Sequence, residues 1–223
     1  MAQTKKVTKK PSSTKRAVDW NEALRPLLKK YRGRKHPLAY QNAYQLIVMI
    51  VLSARSSDAI VNNQAPALFA AYPDFNALSK AEPEALYPLI KGPGYRHKAE
   101  YIIGIAKDVA ATGVIPEDID RLTQWKGFGR KSANVYMSQM GLKAEGIIVD
   151  LHTLRVSPRL GIALSDDPKK MEAELMERID RKQWHQAGMA LTFLGRETCR
   201  PTDPHCDECL MNPVCGFYKK KKK

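Results

Sequence analysis

Apolar residues recur along this chain at helical rather than strand spacing. The run Ala43–Ala54, AYQLIVMIVLSA, is apolar almost all round and predicts a helix buried on every side. The segments Asp58–Tyr72, Glu84–Lys91, Lys98–Thr112 and Asp118–Gln124 each place apolar positions on a helical face, with Pro and Gly breaks between them. Asp166-Asp167-Pro168 is a start signal for a helix over Lys169–Ile179, an Asp cap followed by Pro in the first turn. Trp184–Gly195 continues the pattern with Ala187, Leu191 and Leu194. No alternating run with hairpin turns occurs, so the expected fold class is all-α.

Within this pattern Asp118–Met140, DIDRLTQWKGFGRKSANVYMSQM, divides into a short helix, a tight turn and a second helix opening near Arg130. The turn holds Gly127 and Gly129, which permit positive φ and close approach of another backbone. Main-chain N–H groups at the start of the second helix favour an anion. A helix-hairpin-helix holds a DNA phosphate in this way without reading sequence. Two glycines between helices also occur in plain tight connections, so the turn alone leaves both readings open.

Charge changes the picture less than its total suggests. The 223 residues carry a net charge of +14. Residues 1–16 hold six basic and no acidic side chains, and 219–223 are five lysines, which leaves 17–218 at only +3. The two tails read as disordered segments able to hold polyanions non-specifically. No stretch approaches the roughly 18–20 apolar residues of a membrane span, and the first 16 residues lack the apolar core of a secretory signal. A cytoplasmic monomer is expected, associated with the nucleoid in a bacterium.

All four cysteines fall near the C-terminus, at Cys199, Cys206, Cys209 and Cys215, spaced C-x6-C-x2-C-x5-C. Four thiolates suit a tetrahedral zinc or an iron–sulfur cluster. Structural zinc sites use two short knuckles, whereas one C-x2-C with longer arms favours the bulkier [4Fe–4S] cluster. Disulfides do not suit a chain without a secretory signal.

These parts stand in a recognisable order. LSARSSD (Leu52–Asp58), GYRHKAE (Gly94–Glu100), KGFGRKSANV (Lys126–Val135), VDLH (Val149–His152) and LGRETC lead into the cysteine set. The chain thereby resembles endonuclease III, in the helix-hairpin-helix DNA glycosylase superfamily, from about Leu24 to Phe217. The resemblance implies a six-helix barrel domain over 37–143 and a cluster domain built from 17–36 and 144–218. Double-stranded DNA with abasic or damaged sites would lie across the cleft between them. It also settles the cysteines on [4Fe–4S].

By the same resemblance Lys131 is the nucleophile, attacking C1′ of the deoxyribose to form a Schiff base that β-elimination resolves. Asp150 stabilises charge and moves protons, and His152 is structural. Without the resemblance, Lys131 would read as one of many surface cations and Asp150 as a helix cap. Gly127, Gly129, Arg130, Arg55, Tyr95 and Arg96 are the expected DNA contacts. Arg55 stands where the family has glutamine. The Gly92–Ala99 loop is a residue short and lacks the family's inserted leucine, leaving Tyr95 or Arg96 to stack on an orphaned base. Leu151, Trp125 and Lys126 also depart from the pattern, around the expected place of a flipped nucleotide. The adenine glycosylase branch is set aside, since its glutamate would fall near Met49. The expectation is strong abasic-site cleavage with weak or absent base excision. The alternatives are a bifunctional glycosylase for oxidised pyrimidines and a non-catalytic DNA-binding protein.

Overall fold

The computed structural model describes residues 18–221, and every regular element among them is helical. The basic segment 1–16 lies outside the described residues, as do Lys222 and Lys223. Two short helices, α1 (Trp20–Ala23) and α2 (Arg25–Tyr31), precede α3 (Ala43–Ser53) and α4 (Asp58–Ala71). Then come α5 (Phe75–Ser79), α6 (Pro83–Leu86), α7 (Tyr95–Thr112), α8 (Ile119–Leu122) and α9 (Arg130–Gln139). The chain closes with α10 (Leu151–Leu160), α11 (Pro168–Arg178), α12 (Trp184–Glu197) and α13 (Gly216–Lys221).

Side-chain caps set most of the starts. Asn42, Ser57, Asp74, Asp118 and Asp167 each accept a hydrogen bond from a first-turn amide of the helix that follows. The Asp167–Pro168 signal operates as expected, with Asp167 Oδ1 accepting from the Lys170 amide at 2.9 Å. The segment expected helical over Glu84–Lys91 shortens to α6, and α7 begins three residues before Lys98. The C-terminal lysines read as part of a disordered tail, yet Lys219–Lys221 continue α13. Tyr218 anchors that helix by donating to Asp207 at 2.7 Å, and the Arg159 guanidinium lies over the Phe217 ring.

Two apolar cores form. The first gathers α3, α7 and α9 with Leu68, Leu86 and Phe128; α3 runs through its centre, with Leu46–Leu52 all buried. The second joins α1 and α2 to α10, α11 and α12 and reaches Met211 and Cys215. The extended stretch 146–149 serves both, because Ile147 and Val149 enter the second core and Ile148 the first. Among the described residues no helix is long and apolar enough to cross a membrane.

A polar connection crosses between the cores. Glu172 of α11, 4% exposed, accepts from Arg130 Nε at 2.8 Å, from Arg130 Nη2 at 3.1 Å and from Asn134 Nδ2 at 2.8 Å. The Asn134 amide also reaches the Ile147 carbonyl at 3.3 Å. Removing the carboxylate strands two sets of donors. Glu172→Ala should therefore lower unfolding stability by about 2–3 kcal/mol in urea titrations.

Candidate active site between the two cores

The hairpin is built as its sequence suggests, with one adjustment. Gly127 has φ +78°, and a Cβ there would enter the Tyr101 ring. Gly129 is extended at φ −80° and ψ −179°, a conformation open to any residue, and caps α9 without a side-chain hydrogen bond. The first amides of α9 are thus left for an external acceptor. Arg130, expected among the DNA contacts, has its guanidinium taken up by Glu172.

Lys131 stands in the first turn of α9, and Asp150 immediately precedes α10. Both line one cavity of about 30 Å³ between the cores, enough for a water or two. Asp150 is also the cap of α10. Its Oδ1 accepts from the His152 amide at 2.9 Å and the Thr153 amide at 2.8 Å, which leaves Oδ2 uncommitted. The cap reading and the reactive reading of this residue hold together.

Three further wall residues of this cavity were not among the expected site residues: His36, Asp58, which ends LSARSSD, and Arg196, within LGRETC. Arg196 Nη1 donates to Asp58 Oδ2 at 2.8 Å, bridging α12 to α4 across the rim. His36 Nδ1 accepts from the Leu38 amide at 3.1 Å, so a neutral ring carries its proton on Nε2. Burial lowers the His36 pKa to about 4; Asp58 opposes this, and Lys131 and Arg196 add to it. His152 is likewise lowered, mainly by burial with Asp150 opposing, and its Nδ1 lies 3.2 Å from Arg155 Nη2. It is placed to orient α10 against α12, since Arg155 Nη2 also donates to the Gly195 carbonyl at 2.8 Å.

Trp125, Lys126 and Leu151, which depart from the family pattern, lie outside the lining of the Lys131 cavity. The Trp125 indole turns into the barrel, donating to Asp108 Oδ2 at 2.9 Å and packing on Phe128. Trp125 and Lys126 line a separate groove beside Tyr101. Leu151 points to solvent, 80% exposed, outside the cavity wall. Arg55 is exposed with φ +57°, a left-handed residue in the turn after α3. Tyr95 packs edge-on against Tyr87 at 5.1 Å, and exposed Arg96 donates from Nε to its hydroxyl at 3.3 Å.

Cys199, Cys206, Cys209 and Cys215 are free thiols that line one further cavity, with Leu160, Leu194 and Phe217 among its apolar walls. Burial raises the thiol pKa of Cys206 and Cys209, and the neighbouring cysteines add to the effect. Arg159 Nη1 points at Cys199 Sγ at 3.5 Å. Among the described residues no three His, Cys, Asp or Glu side chains converge closely enough to hold a single metal ion. Four thiolates lining one cavity are soft donors, of the kind that hold zinc or an iron–sulfur cluster.

The chain matches the HhH-GPD superfamily base excision DNA repair protein family over residues 48–181. It is 35% identical over 197 residues to endonuclease III of Synechocystis sp., covering 87% of this chain and 90% of that protein. This chain belongs to the endonuclease III family. The backbone agrees closely with the solved structure of a non-covalent endonuclease III–DNA complex, at TM-score 0.80 and 32% identity over 90% of this chain and 95% of that one. A trapped endonuclease III–DNA covalent intermediate with an estranged adenine agrees as well, at TM-score 0.81 and 31% identity over 91% and 96% of the two chains. Endonuclease III family membership makes this a base excision DNA repair protein, and its all-helical fold is that of the family.

Two outcomes test this site. Asp150→Asn should keep the α10 cap and cost under about 0.5 kcal/mol, whereas Asp150→Ala should cost about 1 kcal/mol in the same denaturation assay. Because the folded His36 pKa lies below its ordinary value, the native state binds fewer protons than the unfolded one between about pH 6.5 and 4. His36 therefore withdraws no stability above pH 6.5 and up to about 2–3 kcal/mol as pH falls to 4. His36→Gln should flatten that acid slope relative to wild type when unfolding is measured at pH 7 and pH 4.5.

Proposed function

We propose that this protein is a DNA lyase of base excision repair, cutting duplex DNA at abasic sites through a Schiff base on Lys131. The observation that carries this reading is the cavity lined by both Lys131, in the first turn of α9, and Asp150. A neutral Lys131 amine adds to C1′ of the ring-opened sugar, and loss of water gives an iminium. That iminium acidifies the 2′ proton; its removal expels the 3′ phosphate, and water then hydrolyses the imine to free Lys131. Asp150, whose cap bonds use only Oδ1, lines the same cavity and stabilises the cation and moves protons. The amides at Gly129–Lys131 hold a backbone phosphate.

Base excision is the slower step in this proposal. A flipped base needs a pocket of its own, and the cavity between Lys131 and Asp150 holds only about 30 Å³. The second reading, a bifunctional glycosylase for oxidised pyrimidines, is favoured by Trp125 and Leu151 standing clear of that cavity. We further assign residues 37–143 to one domain and 17–36 with 144–218 to the other, with one DNA duplex bound per monomer. The four cysteines would hold a [4Fe–4S] cluster, whose chemistry here is to tie a loop with little apolar core to the second domain.

Lys131→Ala should abolish borohydride trapping on abasic duplex while DNA affinity stays within about threefold, since phosphate contacts persist. Trapping at the wild-type rate would assign the nucleophile elsewhere. Duplexes carrying thymine glycol or dihydrouracil should release base at least about tenfold more slowly than abasic sites are cut, a barrier higher by about 1.4 kcal/mol. Equal rates would favour the bifunctional reading. Anaerobically purified protein should contain about four irons per chain, lost in Cys206→Ser; stoichiometric zinc would refute the cluster.

A further inference from the structure

Lys98 is a buried cation that the proposed chemistry does not use. It sits in the second turn of α7 at 7% exposure. Its Nζ donates to the Leu52 carbonyl at 2.8 Å and to Ser56 Oγ at 3.1 Å. Among the described residues no carboxylate forms an ion pair with it. Burial accordingly holds its pKa down. An unpaired ammonium in an apolar site costs stability, so such a residue persists where its hydrogen bonds do something a leucine could not.

The two acceptors flank Arg55. Leu52 presents one of the last carbonyls of α3, where positive charge is favoured. Ser56 follows Arg55 directly, so the clamp closes over a turn whose central residue holds φ +57°, a conformation a non-glycine residue enters only when its surroundings impose it. The same lysine belongs to the helix that opens with Tyr95 and Arg96. Gly92, at φ +120°, brings that loop so close that a Cβ would stand 3.2 Å from Ser56 Oγ. Gln64 of α4 adds a tie by donating to the Lys91 carbonyl at 3.2 Å.

We propose that Lys98 is a positioning residue that sets the spacing between the Arg55 turn and the Tyr95–Arg96 turn, so that the two enter the duplex as one rigid unit. This rests on the abasic-DNA reading above. Lys98 touches neither the Lys131 cavity nor its walls, so its effect should fall on engagement of the duplex and leave the reaction at Lys131 alone.

The test uses full-length protein and a duplex with 2-aminopurine opposite an abasic site. Lys98→Met, which fills the space without the charge, should raise KM at least about tenfold while single-turnover cleavage at saturating enzyme stays within about threefold. The fluorescence change on binding should fall by at least half. In an Arg55→Ala background the Lys98→Met effect on KM should largely vanish, because the lysine acts through that turn. Ser56→Ala, which leaves the cation in place, gives an intermediate loss that Ser56→Thr restores, and it serves if Lys98→Met does not fold. Wild-type KM and fluorescence in folded Lys98→Met, or in Ser56→Ala, would overturn the proposal, as would strict additivity with Arg55→Ala. Wild-type protein that shifts the fluorescence without cutting would sink the lyase reading instead, and Lys98 would then stand or fall on the fluorescence alone.

Discussion

The carboxylate of Glu172 gives direction to a junction that packing also serves. Met189 packs against both apolar cores, and residues 147–149 divide between them. Glu172 supplies direction, because a buried acceptor with three donors tolerates little displacement. Arg130 immediately precedes Lys131, and Ile147, whose carbonyl shares the Asn134 amide, lies three residues before Asp150. The network therefore adjoins, in sequence, both Lys131 and Asp150, and none of its members lines their cavity. Gly146 permits this: a Cβ there would collide with the Glu172 carboxylate and the Asn134 amide.

Around that anchor the cavity draws on elements distant in sequence. Lys131 comes from the hairpin helix, Asp150 from the cap of α10, His36 from the segment after α2, and the Asp58–Arg196 pair from α4 and α12. Two cations and a carboxylate pair surround a histidine kept neutral by burial. A neutral ring here avoids adding a third positive charge beside Lys131.

Much of this was legible in the sequence, for physical reasons that differ by element. The helix Ala43–Ser53 declared itself because it is buried on every side, and Pro168–Arg178 because Asp167 and Pro168 mark its start. Leu151–Leu160 did not: Pro158 lies inside it, and its buried face, Thr153, Val156, Ser157 and Leu160, mixes hydroxyl with apolar side chains. Lys131, Asp150 and the cysteines stood out through ordered motifs, whereas the apolar walls of the cysteine cavity, Leu160 and Leu194, come from α10 and α12. His36 and Asp58 did not stand out, because only tertiary packing carries them to the cleft. Arg196 lay within the quoted LGRETC segment, yet nothing there announced its ion pair. The orientation of Trp125 was not legible either, since its indole is turned by Asp108, a partner 17 residues away.

The cap at Asp150 ties the wall of the cavity to the local folding of α10. One carboxylate oxygen holds the two amides that begin the helix, and the same residue lines the cavity with Lys131. If the first turn of α10 frays, the carboxylate leaves with it, although both cores remain intact. Local opening of one helix turn would then dismantle the cavity well short of global unfolding.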